Sequence, residues 1–184
     1  TESWLEEMLQ LCQQKDVGMV GAKLYYPDDT IQHAGVVVGL GGVAAHVLCK
    51  LPRDAEGYMG RLRCVQEISA VTAACMMVKT SVFKAVGGFD EELKVAFNDI
   101  DLCMKVRKYG VKIVFTPYAE LYHYESKSRG MEDTPEKQLR FSREVNCFRR
   151  KWERELLKGD PYYNPNLTLN NTDCSLRKQE KNGD

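Results

Sequence analysis

Ala96-Phe97-Asn98-Asp99-Ile100-Asp101-Leu102-Cys103, closed by Gly110, leads into the apolar run Val111–Thr116 and on to Leu121-Tyr122-His123-Tyr124-Glu125-Ser126-Lys127-Ser128-Arg129. Two carboxylates open a helix, and a histidine followed by hydroxyls and cations comes just after the next strand. This layout suits a hydroxyl nucleophile handled beside a metal-bound phosphate.

Helix capping alone also accounts for the first motif. An Asn at the N-cap and acids in the first turn stabilise a helix by about 0.5–2 kcal/mol. The chemical reading turns one carboxylate outward as a base, because a hydroxyl is a poor nucleophile until its proton is taken in the transition state. Residues two apart on a helix lie about 200° apart around its axis. Asp99 and Asp101 therefore take different roles: Asp99 as base, Asp101 capping or orienting. His123, as a neutral imidazole, suits Mn²⁺-like ions, and the hydroxyls and cations at Ser126, Lys127 and Arg129 suit phosphate oxygens. The plain alternatives are a structural histidine and a solvated loop. His33 and His46 flank a glycine run and read as structural.

Outward from this core the chain alternates helices and strands. Ser3-Trp4-Leu5-Glu6 is a capping-box pattern, and Leu5, Met8, Leu9 and Cys12 recur at helical spacing over 4–14. Val17–Tyr26 is β-rich and meets the turn Pro27-Asp28-Asp29-Thr30. Residues 49–66 read as a long surface loop, and Ile68–Val78 as one buried strand. A short helix runs from near Ser81 to Gly87-Gly88, and Asn98 caps a helix over 99–109. Val111–Thr116 is a strand ended by Pro117. Thr134-Pro135 opens a last helix striped by Phe141, Val145, Phe148, Trp152 and Leu156. The fold class is α/β, a mixed sheet with flanking helices. Residues 1–159 form the domain, and 160–184 an extended polar tail, disordered from about 170.

The 184 residues carry 26 basic and 26 acidic side chains, and the resulting zero net charge excludes the basic stripe of a nucleic-acid binder. No apolar run approaches the roughly 20 residues needed to span a bilayer, and no signal peptide pattern is present. The first residue is Thr1, which reads as the start of a processed or excised piece. Seven scattered cysteines without a Cys-x-x-Cys exclude a zinc knuckle or disulfide framework. Cys12, Cys75, Cys103 and Cys147 read as small buried hydrophobes, and a reducing cytoplasmic setting follows.

Five segments in order carry a resemblance: 20–33 (Val-Gly-Ala-Lys-Leu-Tyr-Tyr-Pro-Asp-Asp-Thr-Ile-Gln-His), 69–78 (Ser-Ala-Val-Thr-Ala-Ala-Cys-Met-Met-Val), 86–91 (Val-Gly-Gly-Phe-Asp-Glu), 97–103 and 121–126. Together they resemble the C-terminal half of a GT-A-type, family-two inverting glycosyltransferase of bacterial surface polysaccharide, O-antigen or rhamnan-like synthesis. The resemblance implies a partial GT-A fold lacking its nucleotide-binding half and Asp-x-Asp motif, and hence a fragment that is itself inactive. It implies Asp99 as catalytic base and His123 on a divalent metal (Mn or Mg) in the intact enzyme, with none held by the fragment. Asn98 stands where the family has Glu. Contacts to acceptor or donor sugar are implied for Asn98, Asp101, Ala73 and Ala74, and contacts to the diphosphate for Ser126, Lys127 and Arg129. The implied partners are a nucleotide-sugar donor and a glycan or lipid-linked acceptor, with no nucleic acid. The implied location is cytoplasmic, peripheral at the inner membrane face. A truncated sheet would also expose an apolar face, and self-association through it is expected. The rival readings are a non-catalytic carbohydrate-binding or assembly module derived from such a domain, and a metal-dependent hydrolase using Asp99, Asp101 and His123.

Overall fold

The computed structural model describes residues 1–124 and 134–178. Helix α1 (Trp4–Cys12) is followed by β1 (Val17–Tyr25), whose nine residues are all buried. Such a continuously buried strand belongs at the centre of a sheet covered on both faces. Strands β2 (Ile31–His33) and β6 (Met76–Val78) pair antiparallel with it, and β7 (Lys112–Tyr122) pairs parallel on its other edge. Strand β5 (Gln66–Glu67) extends the sheet beyond β7, while β3 (Val36–Val38) and β4 (Ala44–His46) form a separate ribbon.

The sheet lies between two apolar layers. Met8 and Cys12, one turn apart on α1, pack on Val20, Ala22, Leu24 and Val114. The larger core lies on the other face, where Ile100, Cys103, Met104 and Val106 of α3 (Asn98–Lys108) meet Met19, Val71 and Phe115. Short α2 (Thr80–Ala85) precedes α3. Helix α4 (Pro135–Lys151) starts as its sequence predicts, with the Thr134 hydroxyl accepting from Lys137 N. The apolar stripe breaks at Trp152, where α4 gives way to α5 (Glu153–Lys158).

Several expectations change. Strand β7 does not end at Pro117. It pairs with β1 at 112–115 and again at 120–122, and residues 116–119 bulge opposite the single residue Ala22. Proline needs no ladder hydrogen bond in a bulge. The strand expected over 68–78 is broken, because the Thr72 hydroxyl accepts from Ala74 N and folds Ala73–Cys75 into a 3-10 turn. Residues 49–66 are not all surface, since a 3-10 turn at Tyr58–Arg63 buries Leu62 in the main core. Ser3 makes no side-chain cap, although α1 starts beside it.

The tail is also more ordered than its composition suggests. Tyr163, Leu167 and Cys174 are buried, and Gly41 N and Leu48 N donate to the carbonyls of Leu169 and Thr172. The chain from 160 to 178 thus closes over the β3–β4 side of the core instead of extending from it. Residues 179–184 lie outside the described residues.

Candidate active site

Helix α3 begins under constraint. Phe97 sits at its N-cap with φ +62°, so Asn98 is the first helical residue and not the cap. A left-handed phenylalanine costs energy, and the surroundings compensate. Its ring packs against Phe141 and Phe148 of α4, with centroids 5.9 and 5.4 Å away. Just upstream, the buried Glu144 carboxylate accepts from Val95 N (3.1 Å) and Ala96 N (2.9 Å). Helix α4 therefore sets where α3 starts.

That start delivers Asp99 to the Thr72 turn. Asp99 Oδ2 accepts from Ala73 N at 3.0 Å, and Oδ1 accepts from Ile100 N at 2.9 Å. The side chain is half-buried. An ionised carboxylate has about four lone-pair sites, so two amides leave acceptor capacity on both oxygens. Asn98 Oδ1 accepts from Asp99 N at 2.7 Å, fixing the turn. Ala73 and Ala74 are exposed on the turn that Asp99 holds.

Asp101 does something else. It is completely buried, and its Oδ1 accepts from Trp152 Nε1 and faces Lys151 Nζ, both at 2.8 Å. Lys105 Nζ lies 3.0 Å from Oδ2, off the hydrogen-bonding direction. The expected sugar contact and capping role for Asp101 are therefore corrected. The half-turn separation from Asp99 aims it into the protein, where it joins α3 to the α4–α5 junction.

Thr72 also borders a cavity of about 310 Å³ lined by Tyr26, Gln32, His46, Cys49 and His123. His123 Nδ1 lies 2.8 Å from Gln32 Oε1, and Gln32 Nε2 donates to the His123 carbonyl at 3.3 Å. His33 is fully buried, with its Nδ1 3.1 Å from His46 Nδ1 and its Nε2 3.5 Å from Thr72 N. Burial, together with the nearby His46, holds its pKa well below the ordinary imidazole range. This supports the structural reading of His33, whereas His46 also lines the cavity.

Asp99 does not line this cavity and is linked to it only through the backbone of the Thr72 turn. Asp99 holds Ala73, and the adjacent Thr72 shares the cavity with His123. A second cavity, of about 630 Å³, is lined by Lys23, Arg53, Arg63, Tyr118 and Glu120, and neither Asp99 nor His123 borders it. Ser126, Lys127 and Arg129 lie outside the described residues.

A family profile described as "Glycosyltransferase like family 2" matches residues 2–144. The chain belongs to this family. Within the glycosyltransferase fold, its mixed sheet and flanking helices are a partial GT-A domain. The chain is 58% identical over 174 residues (94% of its length) to "Uncharacterized protein y4gI" of Sinorhizobium fredii, covering 19% of that protein. It is 39% identical over 183 residues (99% of its length) to the O-antigen biosynthesis protein RfbC of Myxococcus xanthus, covering 14% of it. Over 62 residues, 34% of its length, it is 36% identical to an N-acetylglucosaminyl-diphospho-decaprenol L-rhamnosyltransferase of Mycobacterium tuberculosis, covering 20% of that enzyme. The chain thus spans less than a fifth of the first two relatives.

Glycosyltransferase chemistry raises the question of a metal. Among the described residues, no group of three or more His, Cys, Asp or Glu side chains is placed to hold an ion. His123 fits as one contributor to a ligand set, because its Nδ1 is occupied by an amide oxygen, as the outer nitrogen of a metal-binding histidine commonly is. No helix among the described residues is long and apolar enough to cross a membrane.

Sequence reasoning missed Gln32 and Glu144, and it placed Trp152 in the apolar stripe without its bond to Asp101. Gln32 adjoins His33 in a quoted segment, but nothing local pairs it with a residue 91 positions away. A buried glutamate within an amphipathic helix carries no sequence signal of its amide partners.

Proposed function

We propose that this chain forms the acceptor side of a glycosyltransferase that moves a sugar from a nucleoside-diphosphate donor to a hydroxyl of a glycan or lipid-linked acceptor, with inversion, in cell-surface polysaccharide synthesis. The observation that carries the reading is the Asp99 carboxylate anchored on Ala73 N, one residue from the cavity that His123 faces. Family membership and the printed names of two relatives, an O-antigen biosynthesis protein and a rhamnosyltransferase, support the chemistry and its setting.

In this mechanism Asp99 accepts the acceptor hydroxyl's proton as the oxygen attacks the anomeric carbon. Its anchor on Ala73 leaves the second lone pair of Oδ2 for that proton and fixes the carboxylate before substrate arrives. General-base catalysis of this kind contributes about 10²–10⁴-fold. Asn98, Ala73 and Ala74 shape the rim where the sugars meet. His123 would hold a divalent ion through Nε2, and the ion would supply charge stabilisation to the departing diphosphate. Ser126, Lys127 and Arg129 would add cations and hydroxyls to the same leaving group. The protein would work in the cytoplasm, at the inner face of the membrane where lipid-linked acceptors are presented.

The test is transfer by the full-length protein from a panel of nucleoside-diphosphate sugars, with the product's anomeric configuration read by NMR. An inverted linkage, abolished by Asp99→Asn, is expected. A retained configuration would overturn the single-displacement mechanism. Glycan binding with no transfer from any donor would favour a binding module.

A further inference from the structure

Gln32 is bound on both sides. Its backbone carbonyl accepts from Cys49 Sγ at 2.8 Å and lies 3.2 Å from His46 Nδ1. Its side chain faces the other way and meets His123 at two points. These contacts, with the Gln32 amide oriented as its hydrogen bonds assign it, favour one proton position. The His123 carbonyl can only accept, so the amide atom beside it must be the NH₂ of Gln32. The other amide atom is then the oxygen, which also can only accept. The imidazole nitrogen 2.8 Å away must therefore be the donor. In the neutral ring, a proton on Nδ1 leaves the lone pair on Nε2.

We propose that Gln32 is a positioning residue that fixes the tautomer and aim of His123, presenting the Nε2 lone pair to the cavity shared with Thr72. A single hydrogen bond would leave the imidazole free to rotate about the contact. The second contact, to the backbone of the same residue, ties the amide plane to the end of β7. The Cys49 and His46 contacts in turn hold the Gln32 backbone, so the clasp stands on the core. The role of that lone pair in catalysis rests on the reading given under Proposed function, whereas the tautomer itself does not.

Long-range ¹H–¹⁵N NMR of the protein, at a pH where imidazoles are neutral, shows which nitrogen of each ring carries the proton. The chain has three histidines, and His123→Gln identifies the signals of that residue. The expected result is a proton on Nδ1 of His123. In Gln32→Leu the population should move to the Nε2–H form that free imidazole side chains prefer. Gln32→Glu, which keeps an acceptor for Nδ1–H, should retain the original tautomer. A proton on Nε2 in the unmodified protein would overturn the proposal without recourse to any variant, as would a leucine variant with unchanged signals. In the full-length protein, Gln32→Leu should raise the Mn²⁺ concentration for half-maximal transfer by about 10–100-fold. The predicted tautomer shift with an unchanged Mn²⁺ requirement would support the clasp and count against His123 as a metal ligand, so the two failures are separable.

Discussion

Replacing Asp101 by Ala should strongly destabilise the fold. The carboxylate is wholly buried, with the Trp152 indole N–H and the Lys151 ammonium each 2.8 Å from Oδ1. Its removal leaves a buried indole donor unsatisfied, at about 1–3 kcal/mol. It also strips two half-buried lysines of their counter-charge, and breaking a buried pair from one side costs about 3–5 kcal/mol. These terms overlap, because the lysines can turn toward solvent, so about 3–5 kcal/mol is the expected total. For a chain of this size that corresponds to a fall of about 6–20 °C in Tm. Asp101→Asn keeps an acceptor for Trp152 and should cost less. Thermal unfolding followed by Trp152 fluorescence reads both variants. An alanine variant melting within about 2 °C of the parent would refute the assignment of Asp101 as the bolt between α3 and the α4–α5 junction.

Other outcomes follow from particular contacts. A Cβ on Gly21 would lie 2.3 Å from Val71 Cγ1, in a fully buried site. Gly21→Ala should therefore destabilise by about 1–3 kcal/mol in urea titration, and by pushing Val71 it should also disturb the adjacent Thr72 turn. His33 is held neutral in the fold, with its pKa below that of the unfolded chain. Its contribution is fully present above the ordinary imidazole pKa of about 6.5 and is lost as pH falls below it, because the unfolded state then binds the proton first. The urea midpoint should drop on acidification through that window, and less steeply in His33→Asn. Cys64 is exposed, whereas Cys103 is buried and its thiol pKa is pushed up by burial. Iodoacetamide mapped by mass spectrometry should label Cys64 in the native protein and Cys103 only after denaturation.

The acid pair at the start of α3 was legible as a helix-opening motif, although capping alone also places acids in a first turn. Helical geometry also separates them, so their facing in different directions could be read before either was placed. What Asp101 does was not legible, since its partner Trp152 lies 51 residues away and only packing brings them together. Pro117 signals a strand end wherever a ladder hydrogen bond is needed, and it misleads here because it falls in a four-residue bulge. Ile68–Val78 is apolar enough for one strand, yet one Thr72 hydroxyl competing for Ala74 N breaks it. The polar tail looked unable to bury itself. Its few apolar residues, Tyr163, Leu167 and Cys174, are spaced to reach the same core. Tyr163 shows the depth reached, as burial and the nearby Cys174 push its pKa up to about 12.

The most direct measurement is single-turnover transfer by full-length Asp99→Asn, with donor affinity measured in parallel. A loss of at least about 100-fold in transfer, with donor binding unchanged, is expected. Transfer within a few-fold of the parent at equal donor occupancy would contradict it, and Asp99 would then be no more than the anchor of the Thr72 turn.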